Sequence, residues 1–176
     1  VQRAFSSDVL RVYVNDDPLG TELAGTLKNV MAIAAGVCDG LQLGTNAKAA
    51  LLTRALPEMV RVGVALGAKP ATFFGLAGLG DLLATCNSAL SRNYQVGIGL
   101  AQGKPLDRVL ADIGSTAEGV NTTRVLIEIA RDRQLGVPIT QEVDRLLAGK
   151  ITPQTAVRAL IERDLKAEFE AEWYLE

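Results

Sequence analysis

Lys28 lies in the stretch AGTLKNVMAIAAG, residues 24 to 36. If that stretch is helical, its neighbours three and four positions away are Gly25, Ala24, Met31 and Ala32. None is acidic, and three are small. A lysine desolvated by an apolar face loses basicity, because burial disfavours the charged form, and it moves toward the range useful for proton transfer. The competing reading is a lysine whose stem packs while its ammonium reaches water. Asn29, next in the chain, adds a neutral donor and acceptor. The sequence contains no histidine, so acid–base chemistry near neutral pH must run through Lys, Asp, Glu, Tyr or Cys.

Two further places carry suitable residues. In GLAGLGDLLATC, Gly75, Gly78 and Gly80 precede Asp81. The spacing looks like a dinucleotide fingerprint, but that motif must follow a strand and open a helix, and here helical patterns flank it. The glycines either let helices pack closely or bring backbone near a small ligand. Asp81 starts the next helix and Thr85 follows at i+4 on the same face. Asp81 is then either a simple cap or, with Thr85, an oxygen pair that meets hydroxyls or steadies a cation such as Lys28. In NSALSRNYQ, Ser91 suits an N-cap, which places Arg92 and Asn93 in the first helical turn. The helix dipole disfavours a cation there. An anion held by the free N–H groups and the Arg92 fork resolves the conflict, and a phosphate fits well. An ordinary solvated arginine is the alternative.

Composition narrows the class. Of 176 residues, 48% are apolar and 22% charged, so the chain is globular and long enough for one well-packed domain. A net charge of −2 with no basic block gives no nucleic-acid footprint. No charge-free apolar run reaches the length of a membrane span. The opening residues VQRAFSSDVLRVYVNDD lack the pattern of a signal peptide. Cys38 and Cys86 stand in unrelated contexts, which excludes the usual zinc sites; they read as buried, reduced thiols of a cytosolic protein.

The elements that must position these groups are helices. DVLRVYVNDD alternates like a strand and is the only such signal, so it needs a partner from elsewhere. Residues 20 to 42 are apolar nearly all round, as in a central buried helix. Thr45 or Asn46 can cap the next helix, which Pro57 should kink or split. A short helical turn at KPATFFGL follows, then helices over DLLATC, from Ser91, over KPLDRVLADIG with Pro105 at its first position, VNTTRVLIEIARDRQL, PITQEVDRLLAG, and TPQTAVRALIER with Thr152 as cap and Pro153 at N1. The tail DLKAEFEAEWYLE is expected to be partly loose. The pattern predicts an all-α domain of about seven to nine helices.

The stretches ELAGTLKNVMAIAAGVCDGLQLGTNAKAALLTRALPEM, GLAGLGDLLATC and SALSRNYQVG together resemble the C-terminal half of bacterial NAD(P)-dependent glycerol-3-phosphate dehydrogenase. The likeness runs from about residue 8, through TAEGVNTT, to near residue 165. It implies an α-helical substrate-binding domain of the 6-phosphogluconate dehydrogenase C-terminal type over residues 15–176. Residues 1–14 would be the last strand of a dinucleotide-binding Rossmann domain that is otherwise missing. The resemblance implies that Lys28 is the proton donor and acceptor, with Asp81 orienting it or a substrate hydroxyl and Asn29 and Thr85 nearby. It implies that Ser91, Arg92 and Asn93 hold the substrate phosphate, and that Arg92, Thr116 and Glu118 meet the nicotinamide cofactor, NAD(P)H, with no metal involved.

The implied reaction interconverts dihydroxyacetone phosphate and sn-glycerol 3-phosphate, feeding glycerophospholipid synthesis, in a cytoplasmic homodimer. The chain without its Rossmann half would catalyse nothing, since hydride transfer needs a cofactor held against the substrate. Two other readings stand beside this one. One is a related two-domain dehydrogenase acting on another hydroxy acid or sugar phosphate. The other is a non-catalytic helical interaction module with Lys28 on its surface.

Overall fold

The computed structural model describes residues 1–164 and, among them, only helices and their connections. In chain order these are α1 (Gln2–Phe5), α2 (Pro18–Gly40), α3 (Thr45–Ala65), α4 (Pro70–Phe73), a π-helical turn (Leu76–Gly80), α5 (Asp81–Cys86), α6 (Arg92–Ala101), α7 (Leu106–Ile113), α8 (Glu118–Asp132), α9 (Pro138–Leu147) and α10 (Pro153–Ile161). The all-α expectation holds. Most of the tail DLKAEFEAEWYLE lies outside the described residues.

The expected strand does not form. Residues 11–15 have no secondary structure, and Leu10, Tyr13 and Val14 are exposed. A strand needs a neighbour to accept and donate its ladder hydrogen bonds, and none is among the described residues. Side chains of α1 and its flank take some of those backbone groups instead. Gln2 Nε2 donates to the Val12 carbonyl at 2.8 Å, and the Val12 N–H donates to Ser6 Oγ at 3.3 Å.

α2 is the axis of the domain. Every residue from Asn29 to Cys38 is buried, the signature of a helix surrounded on all sides. α3, α5, α6, α8 and α9 all pack against it. The approach of α6 is set by small residues. A Cβ on Gly36 would lie 2.1 Å from the Tyr94 carbonyl oxygen, and one on Gly97 2.0 Å from that of Ile33. Only glycine lets the two backbones meet so closely.

Local signals explain several helix starts. Asp17 caps α2 and joins it to α4: its carboxylate accepts from Gly20 N–H at 2.9 Å, Lys69 N–H at 2.8 Å and the Thr72 hydroxyl at 2.7 Å. Ser91 caps α6 and Thr152 caps α10, with Pro153 at the first position, as expected. α3 begins at Thr45 itself, so neither Thr45 nor Asn46 caps it. Its N-cap is Gly44, at φ +87°, a conformation that favours glycine. Pro105 is likewise the cap of α7, not its first residue. Pro57 does not split α3, because Leu56, Met59 and Val60 on either side of it are buried in the core and hold the helix together. Glu58, also buried, caps α9 from a distance: it accepts from the N–H groups of Ile139 and Thr140, both at 2.9 Å, and from the Thr140 hydroxyl at 2.6 Å.

Candidate active site

Lys28 leaves α2 between buried Leu27 and Asn29, and its side chain is only 18% exposed. The acid that its own helix lacks arrives from α5, where the Asp81 carboxylate forms an ion pair with the Lys28 ammonium. Lys28 is therefore neither an unpartnered apolar-face lysine nor a surface one. Thr85, one turn after Asp81, donates to its other oxygen at 3.3 Å. The three groups form a chain from α2 into α5.

The π-helical turn explains how Asp81 reaches that position. Phe73, fully buried, anchors the turn, and a Cβ on Gly78 would sit 2.1 Å from the Phe73 carbonyl oxygen. Gly78 is therefore required for close packing. A π-helical turn inserts one extra residue per turn relative to an α-helix and changes the direction in which the next residue points. Gly75 and Gly80 meet nothing closer than 3.5 Å, and nothing in the structure assigns them such a packing role.

Beside this pair opens a cavity of about 400 Å³, lined by Asn29, Ala84, Thr85, Ser88, Leu90, Ser91, Arg92, Asn93 and Glu118. Ser91, Arg92 and Asn93 enter it as the first turn of α6. The Ser91 hydroxyl accepts from the Tyr94 N–H at 3.3 Å, and Arg92 is exposed. Asn93, buried, turns inward and its Oδ1 accepts from the Gly119 N–H at 2.9 Å. That bond, with Gly119 itself, brings α8 to the site. A Cβ on Gly119 would lie 2.7 Å from the Asn29 carbonyl oxygen and 2.8 Å from Asn93 Oδ1. The Gly119 carbonyl in turn accepts from the Thr123 hydroxyl at 2.6 Å. Glu118, exposed at the start of α8, thereby lines the same cavity as Arg92.

Of the residues singled out from sequence, Asn29, Thr85, Ser91, Arg92, Asn93 and Glu118 line this one cavity, and Lys28 and Asp81 adjoin it through Asn29 and Thr85. Thr116 is exposed on the segment before α8 and is not part of the lining. Sequence reasoning missed Ala84, Ser88 and Leu90. Ser88 and Leu90 belong to the loop before the Ser91 cap, where the Ser88 hydroxyl accepts from the Leu90 N–H at 3.2 Å, a local serine turn that could have marked them.

The two cysteines are free and buried. Burial pushes the Cys86 thiol up to about 12, against the pull of Lys48 and Lys28, and burial together with the Asp39 charge raises that of Cys38. Neither offers a thiolate at neutral pH.

Residues 17–158 match the family model described as NAD-dependent glycerol-3-phosphate dehydrogenase C-terminus. The chain belongs to this family. It is 68% identical, over 97% of its length, to a glycerol-3-phosphate dehydrogenase [NAD(P)+] of Synechocystis sp., and 64% identical, over 96%, to that of Acaryochloris marina. In each case it covers 54% of the relative. The chain thus spans about half the length of the curated relatives it matches. Among solved structures, glycerol-3-phosphate dehydrogenase of Coxiella burnetii superposes with a TM-score of 0.86 at 42% identity, over 92% of this chain and 50% of that one. The yeast enzyme gives 0.82 at 26% identity, over 92% and 47%.

The relatives' names make a nicotinamide dinucleotide the cofactor to test against this site. The described residues contain no strand and no glycine loop between a strand and a helix, so they offer only part of what such a cofactor needs. Exposed Arg92 and Glu118 both line the cavity and are the charged side chains on it. Among the described residues no helix is long and apolar enough to cross a membrane.

Proposed function

We propose that this chain is the substrate-binding half of an enzyme that interconverts dihydroxyacetone phosphate and sn-glycerol 3-phosphate with NAD(P)H. One observation carries the reading: a carboxylate-paired lysine adjoins a cavity of about 400 Å³ that is also lined by a capped helix N-terminus bearing an arginine.

Each group has a task in that reaction. Ser91, Arg92 and Asn93, with the free N–H groups at the start of α6, bind the substrate phosphate, and the energy goes into placing the three-carbon skeleton. Asn29 and Thr85 meet its hydroxyls. NAD(P)H, when bound, would supply the hydride chemistry at the carbonyl carbon. As negative charge grows on the carbonyl oxygen, the Lys28 ammonium neutralises it and delivers the proton that completes the alcohol. Asp81 orients Lys28 and balances its charge. In the reverse direction neutral Lys28 takes the alcohol proton. Arg92, Thr116 and Glu118 would contact the cofactor from this side, and a Rossmann half of the same enzyme would supply the rest of its site, with residues 1–14 as its last strand region and residues 8–14 pairing as a strand only against it. The enzyme works as a cytoplasmic homodimer that supplies glycerophospholipid synthesis. The family and its relatives' names support the reading as an NAD(P)-dependent glycerol-3-phosphate dehydrogenase.

The test joins the chain to an upstream nucleotide-binding half and follows nicotinamide absorbance with dihydroxyacetone phosphate. Wild type should turn over and Lys28→Met should lose about 10²- to 10⁴-fold in kcat, the usual contribution of a positioned acid. Near-normal turnover of a folded Lys28→Met variant would refute the assignment. Absence of activity with this substrate, but activity with another phosphorylated hydroxy compound, would move the enzyme to a different member of the dehydrogenases.

A further inference from the structure

The first turn of α6 is tied to α2 twice. The backbone tie is the contact between Gly36 and the Tyr94 carbonyl. The side-chain tie lies one turn further along α2. There the Tyr94 hydroxyl donates to Asp39 Oδ2 at 2.6 Å, and the Lys48 ammonium donates to the same oxygen at 2.6 Å. Lys48 also sits over the Tyr94 ring, 5.4 Å from its centroid, a cation–π contact. The result is a closed triangle joining the end of α2, the first turn of α3 and the first turn of α6.

The triangle is built to stay in one state. The side chains of Lys48 and Asp39 are 13% and 29% exposed, which limits screening by solvent and salt. Burial raises the Asp39 carboxyl, but Lys48 and Tyr94 outweigh it and hold the group below the usual carboxylate range. Burial and the Asp39 charge push the Tyr94 hydroxyl up to about 12, so it remains a donor at any physiological pH.

None of the three lines the cavity. Tyr94, however, follows Arg92 and Asn93 in the same helical turn, and its N–H is the one that the Ser91 cap accepts. A shift of Tyr94 shifts the whole anion-binding turn. Lys28 lies near the middle of α2, so the distance between the proton-transfer group and that turn is set by one helix, the Gly36–Tyr94 contact and this knot.

We propose that Asp39, Lys48 and Tyr94 are positioning residues that hold the first turn of α6 at a set distance from Lys28 and thereby determine the preference for a phosphorylated three-carbon substrate over its unphosphorylated counterpart. The inference rests on the reading of Arg92 and its neighbours as the phosphate site. A bidentate arginine contact is strong only when its geometry is held, and a small misplacement of a bound group lowers the rate steeply. The triangle supplies that constraint without touching substrate.

The test uses the chain joined to its nucleotide-binding half and compares kcat/KM for dihydroxyacetone phosphate with that for dihydroxyacetone. Tyr94→Phe keeps the ring under Lys48 and removes only the hydroxyl. It should lower the value for the phosphorylated substrate about tenfold, mainly through KM, the scale of one charge-assisted hydrogen bond. The value for dihydroxyacetone should fall by no more than about twofold, and inhibition by inorganic phosphate should weaken in step with the phosphorylated substrate. Asp39→Asn retains an acceptor for Tyr94 and should give a smaller effect of the same kind. It carries the test alone if the melting temperature shows that Tyr94→Phe does not fold. An equal loss for both substrates, or no loss for either, overturns the proposal. Arg92→Ala separates the two levels. If it leaves the phosphate preference intact, the phosphate site itself is misassigned and the proposal falls with it. If it abolishes the preference while Tyr94→Phe and Asp39→Asn do not alter it, the positioning role alone is wrong.

Discussion

The Lys28 ammonium on α2 and the Asp81 carboxylate at the first residue of α5 are paired across 53 residues of chain. Neither helix provides the other's partner locally. The pair forms because Phe73 and Gly78 hold the π-helical turn that aims α5 at α2. An ion pair of this kind fixes the direction of the lysine side chain, which the proposed role of Lys28 against one carbonyl oxygen requires.

Asp81→Asn keeps a hydrogen-bond acceptor near Lys28 and removes the charge. In the enzyme completed with a nucleotide-binding half, kcat should fall, by less than for Lys28→Met, with the folded state retained. Steady-state kinetics with both variants side by side check this. A larger loss for Asp81→Asn would make the carboxylate the group that moves the proton.

Arg92→Ala should raise KM for dihydroxyacetone phosphate by about 10- to 100-fold, the worth of a hydrogen bond to a charged group. Because Arg92 is exposed and is not part of the core, its removal should leave the melting temperature almost unchanged. Inhibition by inorganic phosphate and thermal unfolding are the two measurements.

Gly119→Val places a branched side chain where a Cβ alone would already lie 2.7 Å from the Asn29 carbonyl oxygen. The start of α8 must then move away from α2, taking Glu118 with it and breaking the bond to Asn93. We expect a cost of about 1–3 kcal/mol in urea unfolding, the usual price of overpacking.

Asp17 makes the stability acid-sensitive. The Thr72 hydroxyl and the Gly20 N–H hold its carboxyl below the ordinary value of 3.8, against the opposing effect of burial. A lowered folded-state pKa means that the stabilisation is present above the unfolded value and is lost as pH falls through the folded one. Stability should therefore decline below about pH 4, and Asp17→Asn should be less stable at pH 7 but show a shallower decline in acid. Urea midpoints between pH 2 and 7 test both (a range set by the carboxylate pKa values).

The thiols offer an inexpensive check of the core. Cys38 and Cys86 are buried, with raised pKa values, so neither should react with a disulfide reagent at pH 8 in the native chain. Both should react after denaturation. Fast labelling of Cys86 in the native state would mean that α5, and Asp81 with it, opens readily.

Much of this was determined by the sequence alone. The uninterrupted apolar surface of residues 29–38 makes a central helix, and Ser91 and the Thr152–Pro153 pair start their helices through contacts within one turn. The i, i+4 spacing of Asp81 and Thr85 was enough to put them on one face. These features depend on neighbours a few residues away, which a sequence displays. The exceptions involve partners far along the chain or outside the described residues. Residues 8–14 have the alternation of a strand and no strand to pair with. Pro57 has the chemistry of a helix breaker and is overruled by the core around it. Which acid meets Lys28, how closely α8 approaches Asn29, and the Asp39–Lys48–Tyr94 triangle were decided only in three dimensions. Packing of glycine faces and a single π-helical turn set those distances, and neither leaves a periodic trace in the order of residues.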